Sequence, residues 1–195
     1  NQLIANGNVK IEDNLTKYII FADDISYLKN EEKIKATGKV KLIDDKKQII
    51  TTDKIEFNKK INQINAKGNV KIESKINKYI VFAEDISYLK NDEKILTKGK
   101  SQTIIEKNYN IYSEDIKFDT SKKKIESNKK TKIINNNNQI INLDNFYFSI
   151  NENEIRGENI LVITNFGSPK SDKFFFSSAI LNLNKNSFIA KNTEI

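Results

Sequence analysis

Apolar and polar residues alternate strictly along most of the chain, and the alternation is interrupted at regular intervals. Ile34, Ala36, Gly38, Val40 and Leu42 share one face of an extended segment, with Lys35, Thr37, Lys39 and Lys41 on the other. The same comb returns at Ile64, Ala66, Gly68, Val70 and Ile72. It recurs with smaller residues at Ile95, Thr97, Gly99, Ser101 and Thr103, and again at Ile125, Ser127, Lys129, Thr131 and Ile133. A period of two belongs to a strand that buries one face, not to a helix.

A second kind of segment lies between the combs. Its apolar positions are Tyr18, Ile20, Ala22, Ile25 and Tyr27, and the spacing repeats at Tyr79, Val81, Ala83, Ile86 and Tyr88. Gln48, Ile50, Thr52, Ile55 and Phe57 keep the phase, as do Tyr109, Ile111, Ser113, Ile116, Phe118 and Gln139, Ile141, Leu143, Phe146, Phe148. The step of three in the middle reverses parity once. A β-bulge or a bend between two sheets does the same, returning the later side chains to the inside. The polar stretch from Tyr27 to Ile34 has the same length as those from Phe57 to Ile64 and Tyr88 to Ile95, which predicts a hairpin turn in each.

These segments form a repeat. Gly7, Gly38, Gly68 and Gly99 fall at intervals of 31, 30 and 31, and Lys129 takes the same phase. Supersecondary units stacked on one continuous core are therefore expected, as two facing antiparallel sheets or one folded, trough-like sheet, with Lys, Asp, Glu and Asn coating the outside. The 195 residues read as a single all-β domain, with repeats best defined over 3–160 and a looser terminal unit over 161–195. In that last part a loop at 165–172 holds the proline. Phe174, Phe176, Ser178, Leu181 and Leu183 then resume the pattern, followed by Phe188 and Ala190.

Composition narrows the chemistry. The chain has no Cys, His, Trp or Met, which removes disulfides, thiolate and imidazole metal ligands and the usual catalytic base. Neither a catalytic nor a metal site is expected, and no cofactor. The recurrent pairs Asp23-Asp24, Glu84-Asp85 and Glu114-Asp115 fall at the central bend of each unit and read as turn or edge charges. A net charge of +7 suits phosphates, acidic sugars or nucleic acid, but a solvated face of alternating lysines is the simpler and preferred reading. The Lys122-Lys123-Lys124 and Lys129-Lys130 clusters lack a recognition helix or an aromatic platform, so nucleic acid is not the expected partner. No apolar run approaches the length of a membrane-spanning helix. No leader precedes Asn1, and Leu3, Ala5, Gly7, Val9 and Ile11 match only the second half of a repeat, so the chain is expected to be processed or cut from something longer.

The strings Ala5-Asn-Gly-Asn-Val-Lys-Ile11, Ala22-Asp-Asp-Ile-Ser-Tyr27 and Lys35-Ala-Thr-Gly-Lys-Val40 resemble the OstA-like family, the β-jellyroll repeat of lipopolysaccharide transport. The stretch Asp172-Lys-Phe-Phe-Phe-Ser-Ser-Ala-Ile-Leu-Asn-Leu-Asn184 is similar to the part of the family's outer-membrane assembly member that leads toward its barrel. The resemblance implies a non-covalent conduit at the periplasmic face of the outer membrane, with no enzymatic step. Its implied partners are the lipid A acyl chains of lipopolysaccharide, another jellyroll joined edge to edge, and an outer-membrane barrel with its plug lipoprotein. It also makes the inward residues candidate lipid contacts: Val9, Ile11, Ile20, Ile25, Tyr27, Ile34, Val40, Leu42, Ile50, Ile55 and Phe57, then Ile64, Val70, Ile72, Val81, Ile86, Tyr88, Ile95, Ile111, Ile116 and Phe118. A soluble bridge of the same pathway and a purely structural β-solenoid stalk are the competing readings.

Overall fold

The structure, a computed structural model, describes residues 1–164, 172–183 and 187–194, the last segment largely through its backbone. Residues 165–171 of the predicted loop at 165–172, and the Phe188 side chain, lie outside the described residues. The chain runs as an antiparallel meander of β1 (Gln2–Asp13), β2 (Tyr18–Leu28), β3 (Lys33–Ile43), β4 (Ile49–Asn58), β5 (Gln63–Ser74), β6 (Tyr79–Leu89) and β7 (Lys94–Ile105). It continues through β8 (Tyr109–Glu114), β9 (Lys117–Asp119), β10 (Lys124–Ser127), β11 (Thr131–Asn135), β12 (Ile140–Ser149), β13 (Glu154–Thr164), β14 (Asp172–Asn182) and β15 (Ser187–Glu194). All of these belong to one sheet. β8 with β9, and β10 with β11, are the two halves of strands broken in the middle.

The sheet folds on itself because each strand through β12 bends or breaks at its centre. Phe21 pairs with Lys41 and Asp24 with Thr37, so the two residues of β2 between them oppose three of β3. The bend lies where the parity reverses, yet the surplus residue belongs to the glycine-bearing partner. There Gly38 and Lys39 both take positive φ, 77° and 46°. The fold yields two layers. The front layer holds the second half of β2 and β4, the first half of β3 and β5, and their equivalents; the back layer holds the other halves.

Side chains from the two layers meet in staggered rungs. Tyr18 of the back layer stands edge-on to Phe57 of the front layer at 4.8 Å, one repeat further along. Tyr79 meets Phe118 at 4.9 Å and Tyr109 meets Phe148 at 5.3 Å in the same geometry. The pair that falls between the first two is Gln48 and Tyr88. Where glutamine replaces the back tyrosine, a tyrosine replaces the front phenylalanine, and Gln48 takes the Tyr79 hydroxyl on Oε1 while lying beside that of Tyr88. Ion pairs between hairpin turns close the long side of the sandwich: Asp13 with Lys59 at 2.5 Å, Asp45 with Lys90 at 2.9 Å, and Lys46 with Glu93.

Two departures from the sequence reading concern polarity. The small hydroxyl residues of the later units, which alternation places among the apolar positions of the inner face, are engaged with the backbone that the strand break frees. Thr97 Oγ1 accepts from the Ile116 N–H at 2.9 Å, and Ser127 Oγ donates to the Glu114 carbonyl at 2.6 Å. Ser113 and Thr131 join at 2.8 Å. Thr97→Val, nearly the same shape, strands a buried N–H and is expected to cost about 1–3 kcal/mol, read as a lower urea midpoint with an unchanged slope.

The second departure is on the outside. The front layer's outer face is mostly polar and ion-paired, with Leu28, Leu89 and Leu96 spaced along it, but the back layer's carries a row of isoleucine. Ile19 sits opposite Ile43 and Ile43 opposite Ile49; after Glu73 the row resumes as Ile80 beside Ile104, then Ile134 beside Ile140 and Ile140 beside Ile163. In the last unit β13 and β14 pair without a register shift, and Ala179, not Ser178, is the buried residue.

Candidate functional site

The stagger has a geometric consequence at the start of the chain. If each front-layer side chain is faced by a back-layer side chain from one unit earlier, the first front-layer strands have nothing to face them. Leu3 and Ala5 of β1 and Tyr27 of β2 therefore form a ledge, with the buried Ile25 and Ile34 at its base. Over it lies a concavity of about 530 Å³, bounded by these residues with Ile4, Ile11 and Leu15, and with the Asp13–Lys59 pair at its rim. That volume falls in the range of small-ligand sites. β1 is also the sheet's edge and pairs only with β2 among the described residues.

The rim of the ledge is exposed for want of a neighbour and not for want of apolar character, while Ile25 and Ile34 at its base are buried. Leu3 is 66% exposed and Leu15 87%. Isolated apolar residues on a surface are ordinary, but several converging on one concavity at a bare strand edge are not. Lys59 Nζ stands 5.6 Å from the Tyr27 ring centroid, so a cation borders the apolar floor. Burial alone would raise the Asp13 carboxyl, but Lys59 and the Leu15 and Thr16 N–H groups outweigh it and hold it below the ordinary range.

Of the candidate lipid contacts, all but Val9, Ile11 and Tyr27 are buried. Ile20, Ile50, Ile55, Phe57, Ile64, Ile72, Val81, Ile95, Ile111, Ile116 and Phe118 pack against one another between the layers. Val40, Leu42, Val70, Ile86 and Tyr88 complete that interior. The ledge cavity reaches Ile11, Ile25, Tyr27 and Ile34 alone of the set. It also takes in Leu15 and Lys59, which sequence reasoning did not single out. Leu15 is the one apolar residue in the first hairpin turn, a signal that was legible; Lys59 carried none.

Beyond the ledge the interior contains a polar knot. Asp44 Oδ1 accepts from the Gln48 N–H at 2.7 Å, while Asp44 Oδ2, Gln48 Nε2, Tyr18 Oη and Thr103 Oγ1 are buried and unpaired. Burial pushes the Tyr18, Tyr79 and Tyr88 phenols well up. It also raises the Asp44 carboxyl, against the pull of the Gln48 N–H and Lys90. A carboxyl raised by folding binds its proton more tightly in the native state, so stability falls as pH climbs through the ordinary carboxylate range and stays lower above it. Asp44→Asn keeps the acceptor for Gln48 without the charge. Its urea midpoint is expected above the parent's at neutral pH and level with it in acid.

The recurrent acidic residues serve the bends. The Asp115 carboxylate accepts from the Gly99 N–H at 2.8 Å, and Asn69 donates to Asp53 at 2.9 Å. What the arrangement of the described residues offers is apolar area beside a bare strand edge.

No family model matches the chain, and no curated protein matches it. Among solved structures it is similar to LptH, the LptA-homologous periplasmic component of the conserved lipopolysaccharide transport device from Pseudomonas aeruginosa. That likeness has a TM-score of 0.51 at 16% identity over 59% of this chain and 84% of the other. At this identity it establishes the fold: an all-β, antiparallel, extended jellyroll.

Proposed function

We propose that this chain is a lipopolysaccharide transport component of the periplasm that carries acyl chains along its apolar interior without a chemical step. The observation that carries the reading is the apolar ledge left unfaced at the first two strands, where an alkyl chain meets a prepared floor. Each methylene buried there contributes about 0.8 kcal/mol, so affinity needs no specific polar contact. The bare edge of β1 beside the ledge suits a second jellyroll, whose strand would extend the sheet and whose side chains would face the ledge.

Within this reading we place the chain before the barrel of an LptD-like outer-membrane assembly protein, on the strength of the Asp172 to Asn184 stretch. The barrel and its plug lipoprotein are then the receiving partners. The likeness to LptH favours a soluble bridge instead. Barrel-forming strands encoded after Ile195 would decide for the first, and their absence for the second.

Photocrosslinking to lipopolysaccharide tests the conduit. Probes at Tyr27 and Ile34 on the ledge, at Phe57 and Phe118 between the layers and at Lys41 and Lys71 outside are expected to label in the first two sets only. Ledge labelling without interior labelling would make the ledge a terminal binding site, and labelling nowhere inward would leave a structural stalk, to which the buried interior already lends support.

A further inference from the structure

We infer that the outer face of the back layer docks on an anionic membrane surface. The isoleucine row described above crosses the sheet from β2 to β13, about 40 Å at the usual strand spacing. Beside it, two residues along each strand and on the same face, runs a second row. In that row Phe21 lies opposite Lys41, Lys71 opposite Phe82, and Tyr112 opposite Lys132. On the row's other side, Lys17, Lys47 and Lys78 close successive hairpins, with exposed Ile76 in the last of these turns. An apolar stripe is thus bordered by lysines on both flanks.

Of the acidic residues on this face, Glu12 and Glu73 lie in line with the isoleucine row and are ion-paired with Lys10 and Lys71. Others gather at the bend, where Asp53 and Asp144 bond Asn69 and Asn159. In the lysine row, Lys71 is paired with Glu73 at 2.7 Å, whereas Lys41 and Lys132 have no ion pair among the described residues. The front layer contrasts: Lys35 reaches Glu56 at 3.8 Å and Lys117 reaches Glu126 at 3.6 Å, and no isoleucine row lies beside them. An ordinary solvated face would not need isoleucine in eight of ten neighbouring strands.

The pattern selects the occupant. A second copy laid on this face would bring lysine rows against lysine rows. A bilayer rich in acidic phospholipid meets both elements at once, with headgroup phosphates at the lysines and the acyl boundary at the isoleucines and aromatics. Long lysine stems let the ammonium groups reach the headgroups while the stripe approaches the apolar boundary. Between Phe82 and Tyr112 the face sinks into a depression of about 580 Å³ that also carries Lys100 and Gln102, with Glu84 at its edge.

Flotation of the whole chain with vesicles of phosphatidylcholine, with and without phosphatidylglycerol, reads the docking directly. Binding is expected only with phosphatidylglycerol, and the doubly reversed Lys41→Glu/Lys132→Glu variant is expected to lose at least about tenfold in partitioning. The equal charge change Lys54→Glu/Lys67→Glu on the front layer should lose far less. A second readout does not depend on reversing charges. Because the parent has no cysteine, a polarity-sensitive dye can be placed at Phe82→Cys on the back layer or Leu96→Cys on the front. A blue shift confined to the first is expected. Absence of phosphatidylglycerol-dependent flotation, equal loss in both double variants, or equal dye response on both layers would overturn the proposal.

Discussion

Gly38→Val is expected to destabilise the chain by about 3 kcal/mol or more, read from urea unfolding. Two costs combine. The residue sits at φ +77°, where a β-branched side chain is strained by on the order of 1–3 kcal/mol. The added Cβ would also lie 2.4 Å from the Asp23 carboxylate and 2.8 Å from its Cβ, so Asp23 must leave the bend. The two costs separate experimentally, because Gly99 has a similar φ of +71° and nothing near its missing Cβ. Gly99→Ala should pay for the backbone alone, about 1 kcal/mol, and Gly38→Ala distinctly more. Equal losses at both would mean that Asp23 moves aside freely.

Phe118→Ala should cost about 3–5 kcal/mol. Its ring is 2% exposed, stands edge-on to Tyr79, and belongs to a core only two layers deep, so few neighbours can collapse into the space. The aromatic contact adds about 0.5–1.5 kcal/mol beyond area burial. Tyr79→Phe serves as a control, since it keeps the ring and removes only the hydroxyl that Gln48 receives. A loss after Phe118→Ala no greater than after Tyr79→Phe would show that the rung is not a structural joint. Such a result would favour an interior that opens readily to lipid.

Both variants bear on the conduit. If rungs such as Tyr79–Phe118 close the interior, lipid can pass only when the layers part. The ion pairs Asp13–Lys59 and Asp45–Lys90 lie along the side that would open. The ledge needs no parting, because stagger leaves it unfaced, and this is why probes there and between the layers give different information.

Alternation by itself determined which side chain of each strand faces inward. A period of two assigns Ile34, Ala36, Val40 and Leu42 to one face whatever their neighbours are, and the step of three between Ala22 and Ile25 locates the bend, because parity is a local property of extended backbone. The constant polar spacers likewise located the hairpins. Adjacent apolar pairs such as Ile19-Ile20, Ile49-Ile50 and Ile80-Val81 were visible in the chain, but alternation assigns only one member to the core and leaves the other unexplained. Only the sheet register lined up the second members as a row. Tertiary structure alone decided the stagger of the layers, hence that Tyr18 meets Phe57, that Gln48 and Tyr88 replace a tyrosine and a phenylalanine as a pair, and that the ledge lies at the first strands. Those facts join residues about forty positions apart, and a repeat fixes what each unit presents without fixing which unit it will face.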